Sequence, residues 1–418
     1  MKIAYITSRF PKLTETFVLY EVVAMDRRGI PTVLFPLLAT RQKVVHPEAV
    51  AMRDRIHFLP FLSRDVLAAS WRFARRRPRA FWGALREVLR GTWGSANFFV
   101  GAIGIFPKAV RMASEMEAAG VTHVHAHFAN HPTVAALIVH RLTGIPFSFT
   151  AHGHDIHVER RMLREKVDAA AFAIMISEYN RRLVLDACPG TDAAKLRVLH
   201  CGADTDLFSP GATPEAPGAL SLVCVGSFLE VKGHRYLVEG CRLLRERGID
   251  VRCHLVGDGP GRDEIEALIE AAGLGEAFVL HGPLPRPSVA QLLASAHVIV
   301  QPSVPTRRGS REGIPVSLME GMACGLPAVA TRISGIPELV EDGENGFLVP
   351  PRDPEALADA LARLASNPEL RRRMGRAARA KVLQEFDLEA NAARLAAMIR
   401  AVPGSSNGNG SAHAEARC

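Results

Sequence analysis

The chain consists of two successive series of short apolar runs alternating with longer helical patterns, divided by a stretch that has no periodicity. In the first series the runs are KIAYIT (2 to 7), TVLFPLL (32 to 38), THVHAHF (122 to 128), IPFSFTA (145 to 151), AFAIMIS (171 to 177) and LRVLHCG (196 to 202). Runs this short with little polar alternation read as strands buried on both faces, and strands joined through helices pair parallel. The break, SPGATPEAPGA (209 to 219), carries no apolar stripe and is read as a linker. The second series opens with LSLVCVGS (220 to 227) and continues through DVRCHLVGDG, AFVLHG, HVIVQPS, PAVAT and FLVP. The fold class predicted is α/β, with two doubly wound parallel sheets. Residues 1–208 would form one domain and 220–385 the other, with 386–401 a helix crossing back to the first and 402–418 a disordered tail.

Two Rossmann-like domains facing each other would leave a cleft lined by the carboxyl ends of both sheets, where open α/β folds bind their ligands. Composition agrees with such a chain: 48% hydrophobic and 22% charged residues exclude disorder. The opening MKIAYITSRF is neither a signal peptide nor a membrane span, and seven Cys without a C-x-x-C pair fit reduced thiols, so a cytoplasmic protein is expected. The formal net charge of +8 is concentrated: Arg64 to Arg90 holds eight Arg and two acids, a net +6. The total therefore implies no nucleic-acid partner. Trp71, Trp82 and Trp93 follow at intervals of eleven residues, which returns each to within about 20° of the last around a helix. Two amphipathic helices flanking Pro78, with Trp71, Phe73, Phe81 and Trp82 on one side and Arg on the other, would suit an anionic membrane surface. The same pattern is also a solvated basic face over a core of aromatics. The stretch TWGSANFFVGAIGIF is too short and polar to span a bilayer, although it could dip into a lipid surface.

Chemistry-bearing residues gather at the predicted strand ends. In SREGIPVSLMEGMACGLPAVAT (310 to 331), Glu312 precedes a helix beginning near Pro315, and Glu320 lies inside it. Pro suits the first helical position, leaving the N–H groups of Val316 and Ser317 to meet an anion at the positive end. The two carboxylates could hold opposite ends of one ligand, although such a spacing also arises by chance. In VGSFLEVKGH (225 to 234), Lys232 is either a clamp for a diphosphate or a solvated Lys at a helix start. The first domain carries a histidine cluster, THVHAHFANH followed by TAHGHDIH. His123, His125 and His127 share one strand face. The spacing allows a metal site of the kind used by hydrolytic barrels, but the linker between two series opposes a barrel. In the competing reading His127 and His152 face the cleft, with Asp155 beside them, and His123 and His125 are packing residues.

The 310 to 331 stretch and its continuation GLPAVATRISGIPELVEDGENGFLVPPRDPEAL resemble the E-x7-E signature of retaining glycosyltransferases of family 4 with the GT-B fold. The likeness covers most of residues 1 to 400 and is densest from 222 to 355. The opening KIAYITSRFPKLTETFVLYEV and the segments HAHFA and TAHGHDI are similar to the bacterial exopolysaccharide branch, the colanic-acid-type transferases. The resemblance implies that Glu312 contacts the donor sugar and assists its departure, that Glu320 holds the ribose, and that Gly257, His281, Gly313 and Ile314 border the donor. Gly257 and His281 also suit simple turn and loop positions. His152 would lie against the donor sugar and its phosphate, and Asp155 would serve behind it or on the acceptor. An Arg usual after the first Gly of the VGS motif is replaced by Ser227; Arg9, Arg308 and Arg311 are candidates to supply its charge. The Gly-rich loop of many relatives is absent after the first strand. Arg9, Lys12, Thr14, Glu15 and Thr16 could do its work, unless Thr14 or Thr16 merely caps a helix.

Asp204-Thr205-Asp206 reads as the D-x-D metal motif of the other large glycosyltransferase fold, but its context matches the turn ending the first domain of GT-B relatives. With Lys232 and a helix N-terminus for the phosphates, no metal and no cofactor is expected. The resemblance thus implies transfer of a sugar from a UDP- or GDP-sugar to a glycan or polyprenyl-diphosphate-linked acceptor, at the inner face of the cytoplasmic membrane. The alternatives are a metal-dependent hydrolase using His123 to His157, and a non-catalytic membrane-surface protein using Arg64 to Arg90.

Overall fold

The computed structural model describes residues 1–12, 15–40, 46–158, 160–211, 218–307 and 309–405, without the side chain of His154. It divides into two units: Met1–Ile176 and Asn180–Leu199 with the chain from Ala392 onward, and Ser177–Tyr179 with His200–Asn391. The sheet of the first unit comprises β1 (Ile3–Phe10), β2 (Thr32–Ala39), β3 (His123–His127), β4 (Phe147–Ala151), β5 (Phe172–Met175) and β6 (Leu196–Val198). Their order is β2-β1-β3-β4-β5-β6, and every pair is parallel. Pro36 lies in β2, at the edge of this sheet, where a missing N–H is tolerated. Helices cover the strands, and Ile6, Phe35, Phe147 and Phe149 pack among them in one core. Each such side chain contributes about 1.5–3 kcal/mol through burial.

The second unit repeats the architecture with β7 (Leu220–Val225), β8 (Val251–Val256), β9 (Phe278–Gly282), β10 (Val298–Gln301), β11 (Ala328–Thr331) and β12 (Gly346–Val349). The order β12-β11-β10-β7-β8-β9 is again parallel throughout. All twelve strands coincide with the apolar runs of the sequence, and the doubly wound α/β class holds. Chain order reverses between β1 and β3 in one sheet and between β7 and β10 in the other, which is where such sheets bind ligands.

Three boundaries differ from the sequence reading. The first unit gives way at Leu199 rather than at 208, because the Ala203 N–H donates to Phe386, Leu388 donates back to Ala203, and Thr205 Oγ1 donates to Asp387. These bonds tie the segment after β6 to the second unit. β1 runs on to Phe10, so residues 8–10 are strand and not loop. The described tail does not leave the surface freely: Pro403 and Gly404 are exposed, but Ser405 is fully buried, with its hydroxyl 3.0 Å from His123 Nδ1. The rest of the tail, and residues 212–217 of the linker, lie outside the described residues.

Candidate active site

Lys232 closes a 3-10 turn, Glu230–Lys232, just after β7. Gly233 then adopts φ 69°, against Pro302, whose carbonyl a Cβ would strike, and the helix His234–Glu246 starts only beyond it. Glu312 lies on the segment after β10. The two meet: Lys232 Nζ is 2.7 Å from Glu312 Oε2, with the side chains 16% and 18% exposed. A half-shielded pair of this kind holds both charges in place, and removing one partner strands the other in a poorly solvated position.

Glu320 takes a different partner. It lies in the helix Val316–Ala323, buried, with Oε1 3.9 Å from Arg286 Nε. Arg286 also stands 3.8 Å from Asp204 and over the Phe208 ring at 5.2 Å. Burial pushes the Glu320 carboxyl up to about 7, with Arg286 opposing and Asp204 reinforcing. The two carboxylates are thus served by separate cations. Pro315 is the N-cap of this helix, one position before the first helical residue, so Val316 and Ser317 open the first turn. Ser317 Oγ lies 3.5 Å from buried Gln301. Asp204 accepts from the Leu207 N–H at 3.1 Å, stabilising a turn.

The remaining donor-side candidates are dispersed. Ser227 is half-buried in the turn after β7, its carbonyl accepting from Leu229 at 2.7 Å. Gly257 has φ 136°, and a Cβ there would collide with the Gly226 carbonyl, so close approach of two backbones already requires its glycine. His281 Nε2 is 2.9 Å from His254 Nδ1 within the sheet. Gly313 is half-buried, and Ile314 is a core residue. Arg311 is exposed and donates to the Tyr179 hydroxyl at 3.0 Å. Thr14 and Arg308 lie outside the described residues.

In the first unit Arg9 is an exposed strand residue. Glu15 is the N-cap of the helix Thr16–Arg27, makes no side-chain capping bond and pairs instead with Lys12; Thr16 is the first helical residue. His123 and His125 are fully buried. His123 is 2.7 Å from Ser148 Oγ, and His125 lies between Ser148 Oγ at 2.8 Å and Thr150 Oγ1 at 3.0 Å. Burial holds both imidazoles at about 3, hence neutral. His127 Nδ1 is 3.0 Å from His152 Nε2, and the rings stack. Burial, then His127 and His125, drives His152 well below the ordinary imidazole value.

Asp155 does not present its carboxylate outward. It accepts from the N–H groups of Ala129 at 2.6 Å, Gly153 at 2.7 Å and His152 at 3.1 Å, locking the loop that carries His152. Two residues that sequence reasoning missed enter here: Arg286, and Glu21, whose Oε1 lies 3.3 Å from His127 Nε2. The only sequence signal for Glu21 is a lone charge within the apolar run FVLYEVVAM.

The Arg/Trp segment forms two helices, Arg64–Arg76 and Pro78–Thr92, broken at Pro78 as expected. Its aromatics divide differently. Phe73 and Phe81 are core, whereas Trp71, Trp82 and Trp93 are 65%, 59% and 71% exposed. Residues one or two apart stand about 100° or 200° apart around a helix, so Trp71 and Phe73, or Phe81 and Trp82, cannot share a face. Val100 and Ile103 of the next helix, Ala96–Ala118, are exposed as well. Among the described residues no helix is long and apolar enough to cross a membrane.

Residues 210–381 match the family model for glycosyl transferases group 1. The chain is 30% identical over 424 residues to the colanic acid biosynthesis glycosyltransferase WcaL of Salmonella typhimurium, covering 96% of this chain and 100% of that protein. It is 28% identical over 401 residues to the amylovoran biosynthesis glycosyltransferase AmsK of Erwinia amylovora, covering 93% and 96% of the two chains. In fold it resembles Anabaena HepE solved in complex with UDP, with TM-score 0.71 at 16% identity over 96% of this chain and 100% of that one.

Proposed function

The chain belongs to the group 1 glycosyl transferases, among the exopolysaccharide biosynthesis enzymes of GT-B fold, and from that premise we propose a specific reaction: retaining transfer of a sugar from a UDP- or GDP-sugar to a glycan acceptor carried on a polyprenyl diphosphate. The observation that carries this reading is the Lys232–Glu312 pair at the switch point of the second sheet. Negative charge gathers on the diphosphate as the glycosidic bond breaks. Lys232 and the first-turn N–H groups of Val316 and Ser317 are groups suited to stabilise it there. Glu312 acts at the donor sugar and Glu320 at the ribose, while the first unit recognises the acceptor and contributes His152. A fixed ammonium supplies the charge that a divalent cation provides elsewhere, so turnover should survive chelation. The HepE complex favours a uridine nucleotide in the first assay.

The test is a thermal-shift panel of UDP-, GDP- and ADP-sugars, then turnover on a lipid-linked acceptor with and without EDTA. Glu312→Gln and Lys232→Ala should each lower kcat by roughly a hundredfold or more, the scale of losing one preorganised charge contact, with the fold retained. Near-normal turnover in either variant refutes the site.

The exposed Trp residues and the net +6 of Arg64 to Arg90 support peripheral association with an anionic membrane, where a polyprenyl-linked acceptor would be met. Arg77 is unsuitable for testing this, because it donates to the Leu142 carbonyl and pairs with Glu117 at 2.8 Å. Neutralising Arg72, Arg75, Arg76 and Arg79 together should release the protein from phosphatidylglycerol vesicles, and undiminished binding would overturn the proposal.

A further inference from the structure

Glu320 is a buried carboxyl that the fold leaves without a hydrogen bond. It is 8% exposed, and neither side-chain oxygen accepts from a donor among the described residues. A carboxylate can accept along about four directions, so this one keeps its capacity for groups that the protein does not supply. Burial alone would neutralise it, because nothing replaces the lost water. The cation that opposes this is Arg286, the first residue of the helix Arg286–Ala294. Its Nε stands 3.9 Å from Glu320 Oε1 and its Nη1 3.8 Å from Asp204 Oδ2, beyond hydrogen-bond distance but within the range of charge. The guanidinium lies over the Phe208 ring, and the side chain is 12% exposed, so water screens it little.

One guanidinium thus stands between two carboxyls, all within the second unit. Burial raises the Glu320 carboxyl to about 7, Arg286 draws it down, and Asp204, fixed in its turn by the Leu207 N–H, pushes it up. Two further groups pack near the helix Val316–Ala323 without entering this balance. Arg379, from the helix Pro368–Glu385, donates to the carbonyls of Ala323 and Phe208, and the Cys324 thiol, pushed up by burial to about 12, is neutral. Without Arg286 the buried carboxyl would have a like charge beside it and no opposite one. It would take up a proton, and one of its oxygens would become a donor.

We propose that Arg286 is a positioning residue for nucleotide recognition: acting through Glu320, it keeps two carboxylate oxygens ready for the vicinal hydroxyls of the ribose, while Asp204 works against it. A vicinal diol presents two O–H donors side by side, which a carboxylate accepts together and a carboxylic acid does not. Arginine suits the task because it stays charged throughout the working range and lies flat on an aromatic ring while facing both acids. Nucleotide binding should therefore weaken as pH falls through 7, where Glu320 takes up its proton. The consequence for binding rests on the assignment of Glu320 to the ribose above; the effect of Arg286 on Glu320 does not.

The first measurement needs no nucleotide. In the full-length chain labelled with 13C at the glutamate carboxyls, the Glu320 signal, assigned by its loss in Glu320→Gln, should titrate at about 7. Arg286→Met should move that midpoint up by about one to two pH units, and Arg286→Lys should return most of the shift. Asp204→Asn should move it down. A midpoint unmoved in Arg286→Met, or raised by Asp204→Asn, overturns the proposal. Affinity is then read by calorimetry with UDP-glucose and GDP-mannose, whose diphosphates carry no proton that titrates near neutrality. Arg286→Met should weaken nucleotide binding about tenfold at pH 7.5, with kcat at saturating donor little changed, and by roughly twofold at pH 8.5, where the carboxyl ionises again. A loss equal at both pH values would mean packing against Phe208 only and would refute the role. Undiminished affinity in Glu320→Gln would remove the ribose assignment, while the titration alone decides whether Arg286 governs Glu320.

Discussion

At the carboxyl ends of β3 and β4 the first unit places buried or half-buried imidazoles, whereas after β7 and β10 the second places ion pairs. Both sheets have six parallel strands and a reversal of chain order near the centre. In the first, His123, His125, His127 and His152 are linked to one another, to Ser148 and Thr150, and to the single carboxylate of Glu21. In the second, Lys232 meets Glu312, and Arg286 stands between Asp204 and Glu320. The same architecture therefore carries imidazole and hydroxyl contacts at one site and ion pairs at the other. A group that binds a diphosphate needs fixed charge, whereas a group that orients hydroxyls needs fixed donors and acceptors. The two units should respond to pH unequally.

The largest effect expected is a difference in acid stability. His123 and His125 titrate at about 3 when folded against an ordinary value of 6.5. As pH falls below 6.5 the unfolded chain takes up protons that the folded unit refuses, so stability is lost at ~1.4 kcal/mol per unit for each ring. Between pH 6.5 and 4.5 the two rings together remove roughly 5 kcal/mol from the first unit. In the second, His234 at about 4 acts in the same sense, while Glu320, raised to about 7, acts in the opposite sense. The two contributions nearly cancel. Hydrogen exchange at pH 7 and 4.5, corrected for intrinsic rates, should show the first unit opening and the second almost unchanged; greater acid loss in the second unit would break the contrast.

Next in size is Asp155→Ala. Three backbone N–H groups, those of Ala129, His152 and Gly153, lose a charged acceptor in a buried loop. Such bonds contribute about 1.5–3 kcal/mol each and do not add fully, so a loss of ~4 kcal/mol in urea unfolding is expected. A loss below ~1 kcal/mol would show that water replaces the carboxylate easily.

Glu320→Gln tests the other side with the opposite sign. A carboxyl whose folded value lies above 4.5 destabilises the fold progressively as pH rises from 4.5 to 7, and by a constant amount above that. The variant should be more stable than the parent by roughly 3 kcal/mol at pH 8 and equal to it near pH 4. Its nucleotide affinity should fall, which would place Glu320 among residues kept for function at a cost in stability. Equal stability at both pH values would remove the burial argument.

How much of this the sequence displayed depends on the range of the interaction. The twelve strands were legible because an apolar run and its flanking turns are local. So was the position of Lys232 and Glu312, since each follows a strand end and the topology brings β7 and β10 together. Glu21 and Arg286 were not, because each is defined by a partner far away in the chain and a single charge in an apolar run or helix start carries no address. Asp155 shows the converse: a conspicuous acid beside His152 turns out to bind backbone.

The smallest effect expected lies where sequence proximity misleads most. Trp71 and Phe73 are two residues apart in the helix Arg64–Arg76, yet Phe73 is 5% exposed and Trp71 65%. Phe73 packs with Phe81 and Phe106 in the main core, so Phe73→Ala opens a cavity there. Trp71 has one notable neighbour, the Arg75 guanidinium at 5.4 Å over its ring, an exposed contact of ~0.5–1 kcal/mol. Trp71→Ala should therefore leave unfolding within ~1 kcal/mol of the parent while weakening attachment to anionic vesicles, because a ring kept in water at the polar face of an amphipathic helix has little to lose from the fold and apolar area to bury in a lipid surface. If Trp71→Ala instead destabilised the protein as much as Phe73→Ala, the ring would belong to the core, and the case for a membrane-facing side of these helices would fail.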